Sequence, residues 1–390
     1  MLCSYFDHNA STPPSPEVLE AFLPVACEVY GNASSIHYRG QVARQRLEMA
    51  RRQVASLLHC DPKEIVFTSG GTEANNLALF GALRHRLPSR NHVVSTRIEH
   101  PCVLQACAQL EREGASVTYI PVASDGVVDP ADVARALRPN TALVSMMHVN
   151  NETGAIQPIR EIAALAHQAG ALFHADGVQA FGKLPTRVDD LCVDLYPISG
   201  HKVYAPKGIG ALFVKKDAPI DPLLFGGRQE NGLRAGTENV AGAVALGRAA
   251  VSIADGLDEE TDRLRTLRDL LEQGILARVP DASVNGARDR RVANTSNICF
   301  DGIEGEAMVI SLDLKGFAVS SGSACSSGAV EPSHVLLAMG LPPERARASL
   351  RFSLGRGNTL EEVDALIDAV AGSASHLRRL SPTYTGCELR

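Results

Sequence analysis

Seven short apolar runs, at 65–68, 92–96, 117–121, 142–147, 171–175, 195–198 and 211–214, alternate with stretches whose apolar residues recur at helical spacing. Runs of this length without polar alternation suit strands buried on both faces, and the intervening segments suit covering helices. In 41–58, Val42, Leu47, Ala50, Val54 and Leu57 fall on one stripe, and 159–169 (IREIAALAHQA) repeats the pattern. The alternation predicts an α/β fold: a mostly parallel seven-stranded sheet flanked by helices. From about 255 the pattern changes. A long charged helix over 255–275 precedes strand, helix, strand and helix at 295–300, 304–314, 350–353 and 359–371, the pattern of a smaller α+β unit. The expected division is a large domain, 15–258, and a small domain made of 1–14 and 259–390. No internal repeat or low-complexity linker interrupts the chain.

Composition enters only to exclude. A hydrophobic fraction of 45% with 21% charged residues is that of a globular protein, and no apolar run reaches membrane-spanning length. The N-terminus has no basic region followed by an apolar stretch, so a cytoplasmic location is expected. A net charge of −6, without a basic block, speaks against a nucleic-acid surface. Nine cysteines, with no C-x-x-C pair, fit neither a disulfide framework nor a zinc site, and no metal is expected. Most lie in apolar contexts, as Cys60 and Cys299 do. Cys325 does not: it sits in Ser320-Ser321-Gly322-Ser323-Ala324-Cys325-Ser326-Ser327-Gly328, a small polar stretch unsuited to a core.

Three further segments carry chemistry. In Ile65–Asn76 a strand runs through Ser69-Gly70-Gly71-Thr72 into a helix pattern. Free N–H groups at a helix start, with Gly71 allowing close approach, suit a phosphate; an ordinary cap by Thr72 fits equally well. Asp176 stands at the carboxyl end of a strand, where open α/β sheets bind ligands. A buried carboxylate there needs a strong partner, and a protonated pyridine nitrogen is one; capping a helix is the plainer role. Gln179 could donate to a ring oxygen. Lys202, in Ser199-Gly200-His201-Lys202, follows an apolar strand, and a desolvated lysine is the usual amine for a carbonyl cofactor. Lys63, Lys183, Lys207, Lys215, Lys216 and Lys315 are expected at surface or loop positions. Nucleotide motifs fail. Gly177–Lys183 has the spacing of a phosphate loop but Leu184 replaces the magnesium-binding hydroxyl, and Gly208-Ile209-Gly210 leads into a strand instead of a helix.

Together these segments, with Asp7–Thr12, Tyr30–His37, Glu99-His100-Pro101, His148–Gly154, Arg234–Asn239 and Leu350–Arg356, give a resemblance covering essentially the whole chain. The sequence resembles the cysteine desulfurases of the iron–sulfur-cluster type, in the aminotransferase class-V group of fold-type-I pyridoxal-phosphate enzymes. The resemblance implies pyridoxal 5'-phosphate held by Lys202, paired with Asp176 at its ring nitrogen and contacted by Gln179. It implies that His100 stacks on the ring and moves protons, and that Gly71, Thr72, Ser199 and His201 hold the phosphate. Thr237 would reach the cofactor of the other subunit, which makes a homodimer the expected state. Asn151 and Arg351 would bind L-cysteine, Arg351 through the carboxylate. Cys325 would take the sulfur as a persulfide and pass it to an acceptor protein such as an iron–sulfur scaffold. A selenocysteine lyase or a class-V aminotransferase would also keep Lys202 and Asp176. An aminotransferase has no use for the Cys325 loop, and an inactive sulfur-trafficking scaffold would not need Lys202 and Asp176.

Overall fold

The computed structural model describes residues 4–321 and 331–380. The chain opens with a short strand, β1 (Ser4–Tyr5), and a helix Pro16–Glu28 started by Pro16. A long helix, Tyr38–Leu58, follows, with the His37 side chain accepting from the Gly40 N–H at its start. Next come β2 (Ile65–Thr68), β3 (His92–Thr96), β4 (Ser116–Ile120), β5 (Thr141–Met147), β6 (Leu172–Asp176), β7 (Leu195–Ser199) and β8 (Gly210–Val214). These are the seven expected runs, each displaced by at most a residue or so. They form one sheet in the order β2-β8-β7-β6-β5-β3-β4. All neighbours are parallel except β8, which runs antiparallel to both β2 and β7.

Side chains of a strand alternate between faces, so the sheet has two cores. In β2, Ile65 and Phe67 join one core, with the helices Tyr38–Leu58, Ile159–Gln168 and Val240–Ala254; Val66 joins the other, with Gly71–Arg86 and Pro101–Arg112. Coverage on both faces explains why the strands show no polar alternation.

After the helix Leu257–Arg278 the chain builds a separate core. The strands β9 (Ala282–Val284), β10 (Thr295–Phe300), β12 (Ser320–Ser321) and β13 (Ser349–Ser353) form an antiparallel sheet in the order β12-β13-β10-β9. A further strand, β11 (Phe317–Ala318), pairs with β1. The helices Gly305–Asp313 and Leu360–Leu380 cover this sheet; the second runs nine residues past its expected end at 371. Its continuation keeps an apolar stripe through Val370 and Ala374 and is anchored at Arg378, whose guanidinium donates to the carbonyls of Pro280 and Asp301. Among the described residues no single helix is long and apolar enough to cross a membrane.

The N-terminal strap joins the two parts. The Ser353 N–H donates to the Phe6 carbonyl, and the Thr12 N–H to the His201 carbonyl. Asn9, Ala10 and Thr12 are thereby laid across the carboxyl ends of β6 and β7.

Candidate active site

A cleft of 510 Å³ opens at those strand ends. Its walls include Gly71, Thr72, His100, Asn151, Asp176, Gln179, Ser199, His201, Lys202 and Arg351. Ten sequence-selected positions from six separate segments thus meet in one place. Thr237 does not line the cleft; it lies on an exposed stretch before the helix Val240–Ala254. Cys325 lies outside the described residues.

Strand β6 delivers Asp176 at its last position, buried beneath the cleft. The Val178 N–H donates to its Oδ1 at 2.9 Å, and Asn75 Nδ2 donates to its Oδ2 at 2.9 Å. Burial still pushes the Asp176 pKa up, against the pull of Val178, His100, Asn75 and Lys202. A carboxylate held in so dry a place has room for a cationic partner. The next residue is required to be glycine: a Cβ on Gly177 would stand 2.0 Å from Cε1 of the fully buried Tyr196.

Strand β7 ends at the buried Ser199, and one tight turn, Gly200–Lys202, brings Lys202 to the cleft. Lys202 Nζ donates to the Asn9 carbonyl at 2.6 Å and to the Ala10 carbonyl at 2.8 Å. His201 Nδ1 lies 3.3 Å from Ser11 Oγ, and burial lowers the His201 pKa to about 4.

Opposite Ser199 begins the helix Gly71–Arg86, whose first N–H groups have no partner within the helix. A Cβ on Gly71 would come within 2.8 Å of Val178 and 3.5 Å of Ser199, so the glycine keeps the helix start close to both. Glu73 turns away, accepting from Arg234 Nε at 2.8 Å and from the Ser69 N–H at 2.8 Å. A ring of Gly71, Thr72, Ser199 and His201 around free helix N–H groups fits a phosphate.

His100 starts the helix Pro101–Arg112 and forms one wall. Its Nδ1 accepts from the Cys102 N–H at 3.2 Å and has the Cys102 thiol 3.0 Å away, which leaves the ring proton on Nε2. Burial lowers the His100 pKa, so the ring is neutral at pH 7. Cys102 therefore borders the cleft, unlike the apolar setting of the buried Cys107. At the far end Arg351 Nη2 donates to Asp7 Oδ1 at 2.7 Å and Nη1 to the Asn151 carbonyl at 3.0 Å; the buried Nε has no partner among the described residues.

One expectation is corrected. Lys183 is not a surface lysine: its amine donates to Asn9 Oδ1 at 2.8 Å and to Gln179 Oε1, beside Lys202. It stands four residues after Gln179, in a turn that folds under the strap, and sequence spacing could not place a loop residue inside. Asn9, Asn75, Glu99, Glu152 and His334 were also missed as neighbours of the site. Asn75 had a signal, since it is one helical turn from Gly71 and so shares its face. Glu99 had none. It is fully buried, accepts from Thr96 Oγ1 at 2.7 Å and the Met147 N–H at 2.9 Å, and its pKa rises to about 8 through burial. His334 Nε2 donates to the Glu99 carbonyl at 2.9 Å, and Ser333 Oγ donates to the buried Glu152, so this segment docks at the mouth of the cleft.

The aminotransferase class-V family profile matches residues 4–366. A cysteine desulfurase of Nostoc sp. is 48% identical over 382 residues, 97% of this chain and 94% of that protein. The cysteine desulfurase IscS of Dictyoglomus turgidum is 44% identical over 378 residues, 97% of this chain and 96% of that one. Among solved structures, a NifS-like protein superposes with a TM-score of 0.91 at 35% identity, covering 96% of this chain and 100% of that chain. SspA in complex with cysteine gives 0.81 at 37% identity, covering 90% and 98%. On its fold, its cleft and these relatives, the chain belongs to the aminotransferase class-V family, among that family's cysteine desulfurases.

Proposed function

We propose that this cleft converts L-cysteine to L-alanine with pyridoxal 5'-phosphate, moving the sulfur onto Cys325. The single observation that carries the reading is the pairing of a buried carboxylate, Asp176, with the amine of Lys202 at the ends of adjacent strands. The residues fit the cofactor. Asp176 suits a ring nitrogen, Gln179 a ring oxygen, and Gly71, Thr72, Ser199 and His201 a phosphate, with His100 against the ring face. Bound there, pyridoxal phosphate supplies an electron-withdrawing ring that stabilises negative charge at the substrate Cα.

The chain's own groups do the rest. Arg351, with its unpartnered Nε, binds the substrate carboxylate, and Asn151 beside it limits the orientation. Lys202 Nζ takes the Cα proton. His100 keeps Nδ1 tied to Cys102 and offers Nε2 to the cleft, where it moves protons between substrate and solvent. Cys325 Sγ attacks the substrate sulfur; the C–S bond breaks, an S–S bond forms, and protons on carbon complete alanine. The balance is L-cysteine and a Cys325 thiol giving L-alanine and a Cys325 persulfide. The persulfide then passes to an acceptor protein such as an iron–sulfur scaffold. The exposed apolar side chains of Tyr30, Ile36, Tyr38, Leu224 and Phe225, with the outlying Thr237, support a homodimer. The core built after Leu257–Arg278, separate from the two that flank the large sheet, supports domains at 15–258 and at 1–14 with 259–390. A cytoplasmic location goes with this activity.

Alanine and sulfide formed from L-cysteine with a thiol reductant, measured for the unmodified chain, Cys325→Ala and Lys202→Ala, test the proposal. Equal yields of the two products, lost in both variants, are expected. A chain that binds pyridoxal phosphate but leaves cysteine untouched would move the activity to another reaction of the family.

A further inference from the structure

The turn that follows β6 carries both Gln179 and Lys183, but only Gln179 lines the cleft. The turn is closed by the Phe181 N–H donating to the Gly177 carbonyl at 2.8 Å and by the Leu184 N–H donating to the Ala180 carbonyl at 3.0 Å, with Phe181 fully buried. Across it the two side chains meet: Lys183 Nζ donates to Gln179 Oε1, and also to Asn9 Oδ1 at 2.8 Å. The other end of the Gln179 amide, Nε2, donates to the Asn9 main-chain carbonyl at 2.9 Å. Asn9 is itself pinned. Its N–H donates to Ser353 Oγ at 2.9 Å, and its Nδ2 to Thr295 Oγ1 at 2.8 Å and to the Asn151 carbonyl at 3.2 Å. Gln179 and Asn9 are both buried.

We propose that Lys183 is a positioning residue for Gln179: its amine holds the carbonyl end of the Gln179 amide inside the wall, so that Nε2 is the end presented to the cofactor's ring oxygen. The inference rests on the assignment of Gln179 to that oxygen. A primary amide has a donor end and an acceptor end, and the end that faces the cleft decides what it can bind. Two neighbours fix the choice. The Asn9 main-chain carbonyl can only accept, so the end against it is Nε2. The Oε1 end then needs a donor, and Lys183 supplies it. Nε2 carries two hydrogens; Asn9 takes one, and among the described residues the second is left for the cleft. A reversed amide would set Oε1 against the Asn9 carbonyl and turn lone pairs toward the ring oxygen. The arrangement does not call for an ammonium group. A neutral amine has two N–H bonds, and Gln179 and Asn9 take both. Burial first, and then Lys202 and Arg351, press the Lys183 pKa well below its ordinary value, the direction that yields such an amine.

A double-mutant cycle on the full chain tests this, with the dissociation constant of pyridoxal phosphate read by absorbance titration. Lys183→Met removes both donors and should raise the constant about fivefold. Gln179→Ala removes the contact with the ring and should raise it about tenfold. The double variant should match Gln179→Ala, because Lys183 then has no amide to orient. The visible band of Lys183→Met should shift in the same direction as that of Gln179→Ala, and the double variant should show no further shift. Factors that multiply, to about fiftyfold, would mean that Lys183 acts independently of Gln179; they would overturn the proposal and leave the cofactor reading intact. An unchanged affinity in Gln179→Ala would remove the assignment of Gln179 to the ring oxygen, and the proposal with it. Failure of the unmodified chain to bind pyridoxal phosphate at all would sink the functional reading first. A second measurement needs no variant to fold: neutron diffraction from deuterium-exchanged crystals of the unmodified, cofactor-loaded chain. Nε2 against the Asn9 carbonyl, with Oε1 receiving a deuteron from Lys183, is the expected result. The reverse orientation of the amide refutes the proposal.

Discussion

Replacing Asn75 with alanine takes one defined interaction from the base of the site. Asn75 Nδ2 donates to Asp176 Oδ2 at 2.9 Å and to the Gly71 carbonyl at 3.0 Å, and Asn75 is 1% exposed. Among the described residues, Asp176 Oδ2 would then have no donor and Oδ1 only the Val178 N–H. A hydrogen bond to a charged group is worth about 1.5–3 kcal/mol. The cleft is open enough for water to recover part of it, so the lower end applies, about 1.5 kcal/mol, or roughly tenfold in affinity. Weaker support also raises the Asp176 pKa further, which reduces its hold on a ring cation. The cofactor dissociation constant of Asn75→Ala, from absorbance titration, should therefore rise about tenfold. Without cofactor the variant should lose less, because alanine favours the helix by about 0.6 kcal/mol over asparagine. Asn76→Ala is the control, since half-buried Asn76 donates back to the Thr72 carbonyl at 2.8 Å and, among the described residues, has no contact with Asp176. Equal cofactor affinities for Asn75→Ala and Asn76→Ala would refute the assignment of Asp176 as the ring's anchor.

Further outcomes follow from the same structure. Glu230 accepts from Arg51 at 2.7 and 2.8 Å and from the Phe67 N–H at 2.8 Å; Glu230→Ala should cost about 3–5 kcal/mol in urea unfolding, whereas cutting the exposed Arg84–Glu113 pair should leave the midpoint unchanged. Gly177→Ala should destabilise by about 3 kcal/mol, because Tyr196 is fully buried with its hydroxyl 2.9 Å from His148 Nδ1 and cannot swing aside; adding Tyr196→Leu should relieve part of the strain and show it as a recovered melting temperature. Glu99 has a folded pKa of about 8 against an ordinary 4.5, so it binds its proton more tightly folded than unfolded. Its contribution is complete below 4.5 and is lost as the pH rises toward 8, and Glu99→Gln should flatten the fall in melting temperature across that window. A parallel fall in both chains would assign the pH dependence elsewhere.

How much of this was legible beforehand depends on distance along the chain. Strands β2 to β8 were visible because buried strands between helices leave short apolar runs, a signal contained in each run itself. Asp176 was visible because it closes such a run, and Lys202 because it follows one within a turn. The helix Leu360–Leu380 was underestimated because its last turns are anchored by Arg378 reaching Pro280 and Asp301, contacts from far upstream. Lys183 was misplaced for a similar reason. A lysine in a turn is ordinarily solvated, and only a strap from the other end of the chain covers this one.

The sequence by itself determined the sheet, the glycine at the helix start, and a carboxylate and an amine at strand ends, because each depends on a few neighbouring residues. Tertiary structure alone decided the pairings that set their chemistry: Asn75 against Asp176, Cys102 against His100, and Lys183 beside Lys202 through Asn9. Such contacts depend on which groups are brought within about 3 Å after the chain has closed on itself, and on how much water that closure leaves. The protonation state of a buried group follows from both, and neither is a property of the local sequence.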